Sequence, residues 1–104
     1  MSVVVVISTF PSSEQAAEVA RVLVAEHLAA CVNLVPAVRS IYRWQGEVHD
    51  DAEVLAIVKT TAERAPALCE RLVALHPYEV PEAIVLPVTA GHAAYLAWIT
   101  GEVS

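Results

Sequence analysis

Two stretches of this chain, Val3 to Ile7 and Val54 to Val58, are apolar at every position. Runs this short, and this rich in β-branched residues, read as strands. Successive side chains of a strand point to opposite faces of its sheet, so both faces around these strands are apolar and want cover. A chain of 104 residues suits one domain, spanning 1–104, with a single shallow core. Yet 57% of its residues are apolar and its mean hydropathy is +0.56. That is more apolar side chain than one small interior holds, and the surplus predicts an oligomer interface.

A membrane is the other place such residues go, and the pattern argues against it. No aliphatic run is longer than Val3 to Ile7, far short of the ~20 residues of a spanning helix. The apolar 19–38 region is broken by Arg21, Glu26, His27 and Asn33. The net charge is -6 with a pI near 5.0, and the six basic residues are scattered. No basic stripe exists for phosphate backbones, so nucleic acid is not an expected partner. Cys31 and Cys69 form no Cys-x-x-Cys pair, and the N-terminal apolar run has no positive flank and is too short for a signal peptide. The chain is expected in the cytoplasm with free thiols.

Taken in order, Val3 to Thr9 is the first strand and Phe10-Pro11 ends it. Ser12 with Gln15 reads as a capping box opening a helix over about 13–28. Ala16, Val19, Ala20, Leu23 and His27 form its core face. Cys31 to Trp44 is extended, with Pro36 forcing a bulge or break. Gln45-Gly46-Glu47 is a turn, Val48 to Asp51 completes a hairpin or a loop, and Glu53 to Thr60 is the next strand. Thr60 and Glu63 suggest a second capping box, and Pro66 fits only near a helix start. Ala65, Leu68, Cys69, Leu72 and Leu75 give that helix its apolar face, up to about His76. Ala83 to Val88 is a further strand, and His92 to Thr100 a terminal helix closed by Gly101.

The order strand, helix, strand, strand, helix, strand is that of an α+β, ferredoxin-like βαββαβ fold, with an extra β-hairpin and a C-terminal helix. Both helices would lie on one face of an antiparallel sheet. The other face is left bare, in agreement with the apolar surplus.

Between the second helix and the last strand lies His76-Pro77-Tyr78-Glu79-Val80-Pro81-Glu82. Pro77 and Pro81 forbid a helix and push His76 and Val80 toward extended geometry. The segment is a rigid linker, a site, or both. Tyr42 and Trp44 alternate, so they share a face and either pack on a neighbouring subunit or line a cleft with Tyr78.

Signatures of catalysis are missing. Three glycines build no phosphate cradle, and no serine sits in a nucleophile elbow. Thiols and imidazoles are ligands that copper and zinc select, but Cys31, Cys69, His27, His49, His76 and His92 show no local chelating spacing. A site would have to be assembled across the fold or between subunits. His27 and Cys69 read as core residues, and His76 as a helix-end cation favoured by the helix dipole. Asp50, Asp51 and Glu53 read as a solvated acidic turn, with weak binding of a hard cation as the other reading.

Leu28-Ala29-Ala30-Cys31-Val32-Asn33, Ser40-Ile41-Tyr42-x-Trp44-x-Gly46, Glu53, Lys59-Thr60-Thr61, His76-Pro77-Tyr78-x-x-Pro81-Glu82, Gly91 and Tyr95-Leu96-x-Trp98 resemble the CutA divalent-cation tolerance family. The resemblance covers nearly the whole chain in order. It implies a trimer of ferredoxin-like subunits, similar in assembly to the PII signalling proteins, and tolerance of copper and other divalent cations without an enzymatic activity or organic cofactor. It further implies intersubunit clefts lined from the Tyr42–Trp44 and His76–Glu82 segments, and Cys31 and His76 as metal ligands. Lys59, Tyr78 and Glu79, expected near Tyr42 and Trp44, support a second reading as a PII-like sensor of a small molecule or anion. A trimeric scaffold is the third.

Overall fold

The computed structural model describes residues 2–104. Among them the elements are β1 (Val3–Phe10), α1 (Ser13–Ala25), β2 (Cys31–Trp44), β3 (Glu47–Thr61), α2 (Ala65–Leu75), β4 (Ile84–Pro87) and α3 (Ala93–Glu102). One antiparallel sheet has the order β2-β3-β1-β4. The most apolar strands, β1 and β3, are its centre, and Pro87 falls on the edge strand, where a missing amide hydrogen costs no ladder bond.

Burial alternates along β1 and β3. Val4, Val6, Phe10, Val54, Ala56 and Val58 face α1 and α2, where Ala16, Val19, Leu23, Leu68 and Leu72 close the core. The opposite alternation, Val5, Ile7, Leu55 and Ile57, is only half-buried within the chain, and Val35, Ile84 and Leu86 beside it are exposed. Both faces are apolar, as the sequence predicts, but one chain buries only one of them. α3 covers one end of the second face with Ile99 and Val103, and Arg64 donates to the Val103 carbonyl at 2.6 Å.

The predicted break at Pro36 is a bulge between Val35 and Val38, with Ala37 at φ 60°. Gln45 (φ 51°) and Gly46 (φ 81°) make a two-residue turn with both residues left-handed, the hairpin geometry that matches strand twist. Val48 to Asp51 is therefore strand, not loop, and β3 runs unbroken from Glu47 to Thr61. β1 pairs with β3 only as far as Phe10↔Val54. Beyond that point β2 and β3 pair with each other alone, as a two-stranded ribbon about 20 Å long. Ile41 and Val48 on the ribbon are 66% and 64% exposed.

Helix ends depart from expectation in four places. Ser12 caps α1 by accepting from the Gln15 amide at 3.2 Å, but α1 stops at Ala25. His27 follows in left-handed geometry (φ 59°), exposed rather than in the core, with Nδ1 2.9 Å from the Glu102 carbonyl. The Thr60–Glu63 capping box does not form. Thr60 is buried and donates its hydroxyl to the Leu28 carbonyl at 2.6 Å, while the adjacent Thr61 accepts from the Arg64 amide at 3.3 Å. Gly101 does not close α3, which runs through it to Glu102.

Candidate functional site

β4 begins at Ile84, opposite Ile7, so the last residues of β1 lack a neighbour on that edge. The His76 side chain fills the gap. Its ring stacks on Phe10 with centroids 4.2 Å apart, and Nε2 lies 2.8 Å from the Thr9 carbonyl. The Tyr78 amide donates to Nδ1 at 3.1 Å. An amide can only donate and a carbonyl only accept, so Nδ1 is bare and Nε2 carries the hydrogen. Burial holds the His76 imidazole below its usual pKa, although the Thr9 carbonyl and the charge of Glu53 pull the other way. This is a neutral imidazole of the sheet edge, not the helix-capping cation expected from the sequence.

Pro77 keeps His76 extended (ψ 140°), so the chain leaves α2 directly along the sheet edge. Tyr78 then reaches back over the end of β3, and its phenol donates to Glu53 at 2.5 Å. Burial, followed by that bond and the Glu53 charge, raises the Tyr78 pKa, so the phenol stays protonated.

A cleft of about 710 Å³ opens between this segment and the ribbon. Tyr42 and Trp44 form one wall, Tyr78, Glu79 and Glu82 the other, and Thr9 and Glu53 the base. Tyr42 donates its phenol to Asp51 at 2.6 Å, which raises its pKa, and stacks on His49 with centroids 5.2 Å apart. Burial first, and then the neighbouring Glu53 charge, pushes the Glu82 carboxyl up. Arg39, which also lines the cleft, donates to Asp50 through two bonds of 2.8 and 2.6 Å.

Of the predicted cleft residues, Tyr42, Trp44, Tyr78, Glu79 and Glu82 meet. Lys59 does not join them in one chain. It lies six residues along β3 from Glu53, roughly 20 Å away, and donates to the Tyr95 hydroxyl at 3.1 Å. Glu53 lies in a strand rather than in the expected acidic turn, and it ties the two walls together. The two-residue turn held the signal. Counting back from Gln45-Gly46 pairs Tyr42 with His49 and Val38 with Glu53, on the face that carries Trp44.

The two predicted metal ligands are apart within the chain. Cys31 pairs with Lys59, level with Val5, whereas His76 sits at Thr9 and Phe10, about 14 Å further along the sheet. Cys31 is half-buried on the open face, its thiol 3.8 Å from the Asn33 carboxamide oxygen. Among the described residues no three His, Cys, Asp or Glu side chains converge. A soft-metal centre therefore does not fit one chain. Cys69 is half-buried on α2, and desolvation raises its pKa, as suits an inert thiol.

The family model described as "CutA1 divalent ion tolerance protein" matches residues 4–102. The divalent-cation tolerance protein CutA of Thermus thermophilus is 56% identical over 95 residues, covering 91% of this chain and 92% of its own length. The human protein CutA is 47% identical over 91 residues, and the chain spans about half (51%) of that relative. The crystal structure of CutA from Xylella fastidiosa superposes with a TM-score of 0.96 at 43% identity, covering all of both chains. Neither the family nor these relatives are named for a reaction. With a family match over almost its full length and relatives this similar, the chain belongs to the CutA1 divalent ion tolerance protein family.

Proposed function

We propose that the protein acts in tolerance of divalent cations, copper first among them, as a non-catalytic cytoplasmic homotrimer of ferredoxin-like single-domain subunits. Membership of the family supports the divalent-cation part of this reading. The half-exposed apolar sheet face and the unsupported ribbon favour assembly. An isolated two-stranded ribbon is marginal in water and gains from a neighbour. Because Cys31 and His76 lie apart, they are proposed as separate metal contacts completed between subunits. For His76, ligation requires release of the Thr9 carbonyl or the Tyr78 amide.

A second reading, a PII-like sensor holding a small molecule, is favoured by the cleft, whose volume of about 710 Å³ lies in the range of small-molecule sites. Lys59 reaches such a site only from a neighbouring subunit. With neither metal nor small molecule bound, a trimeric scaffold is what remains.

Calorimetric titration with copper(II) and zinc tests the first reading, on the wild type and on Cys31→Ser. Saturable binding tighter than about millimolar, weakened in a variant whose circular dichroism is unchanged, is the expected result. Binding no tighter than about −4 kcal/mol overturns the metal reading. Unchanged copper affinity in Cys31→Ser makes that residue structural.

A further inference from the structure

We propose that the cleft takes an organic cation, an ammonium or guanidinium on an apolar body, with the charged head at Glu53 and Glu82 and the body against Tyr42 and Trp44. This rests on the small-molecule reading above and narrows the ligand. Three observations set the class. First, size: a cleft of about 710 Å³ suits a molecule rather than a bare ion, and no three ligating side chains converge among the described residues.

Second, charge: Glu53, Glu79 and Glu82 line the cleft against one guanidinium, Arg39, which is paired with Asp50. The Tyr78 phenol, a donor that could greet an anion, is given to Glu53, and the Tyr42 phenol to Asp51. An anionic ligand would meet three carboxylates and, among the described lining residues, no unpaired guanidinium or ammonium. The half-buried Glu82 lies within reach of the Glu53 charge, a repulsion that a cationic head relieves.

Third, the walls: within one chain Trp44 and Tyr42 keep 39% and 41% of their surface exposed beside the carboxylates. Aromatic faces attract cations and bury apolar carbon, so one ligand uses both walls.

Phenethylammonium, the neutral phenethyl alcohol and the anionic hydrocinnamate are titrated calorimetrically into the intact protein at neutral pH. The ammonium is expected to saturate, the alcohol to bind about tenfold more weakly, and hydrocinnamate not to bind. Glu82→Gln is expected to weaken the ammonium about tenfold and leave the alcohol unchanged. Trp44→Leu weakens both, with circular dichroism reporting that each variant is folded. The proposal is overturned if the ammonium does not saturate below about 10 mM, or binds Glu82→Gln as well as wild type. Hydrocinnamate binding as tightly as the ammonium also overturns it, while leaving the small-molecule reading standing. If none of the three probes binds but copper(II) alone does, the small-molecule reading falls as well.

Discussion

His76→Phe keeps the ring on Phe10 and removes everything else that His76 does. The Thr9 carbonyl at 2.8 Å and the Tyr78 amide at 3.1 Å lose their partners together. A buried polar group left unpaired costs about 1–3 kcal/mol. Tyr78 is half-buried and its amide can recover some hydration, so the pair is expected to cost about 2–4 kcal/mol. Urea unfolding at fixed protein concentration reads this directly. With a slope of about 1.5 kcal/mol per molar, the midpoint falls by on the order of 2 M at unchanged slope. The same variant tests the protonation state. His76 has its pKa lowered by burial from an ordinary value near 6.5. Between the folded and unfolded values the unfolded chain binds more protons, so wild-type stability falls as pH drops below about 6.5. The slope from this group is at most about 1.4 kcal/mol per pH unit, and it is expected to be absent in His76→Phe. A midpoint within about 0.3 M of wild type, or the same acid slope in both proteins, refutes the assignment of His76 as a neutral brace of the sheet edge.

The Ser8 hydroxyl is fully buried without a hydrogen-bond partner, so Ser8→Ala is expected to raise stability by about 1 kcal/mol in thermal or urea unfolding, and a loss of that size contradicts it. Gly101 sits in the last turn of α3 with open space where a Cβ would go, and Gly101→Ala is expected to stabilise by about 0.5–1 kcal/mol in the same measurement. Gly46→Ala, at φ 81°, is expected to cost about 1 kcal/mol and loosen the ribbon, seen as faster amide exchange in Val38–Glu53; an unchanged exchange pattern contradicts it.

Periodicity made most of the fold legible. The two apolar alternations of β1 and β3 belong to the strands that form the sheet centre, and Pro77 marks the end of α2. Helix ends were harder, because short-range chemistry competes with tertiary contacts. Thr60 has a capping side chain, but the sheet buries it and sends its hydroxyl to Leu28. Gly101 looked like a stop, yet glycine costs a final helical turn only about 1 kcal/mol, and packing of Ile99 and Val103 outweighs that. In the site, the aromatic wall was visible from the alternation of Tyr42 and Trp44. Lys59, expected near Tyr42 and Trp44, is instead carried by the unbroken β3 to the far end of the sheet. His76 could not be read as a brace, because the gap it fills exists only where β4 stops short of the end of β1.

The proposed metal contacts and the proposed support of the ribbon both depend on assembly. Leaving several hundred Å² of the second sheet face wet would cost on the order of 10 kcal/mol, comparable with the whole stability of a small domain. Sedimentation equilibrium at low micromolar concentration measures assembly directly. A single species of three 11.1 kDa chains is the expected result. A dimer would keep the covered face and remove the trimer, and a stable, well-folded monomer would contradict the account.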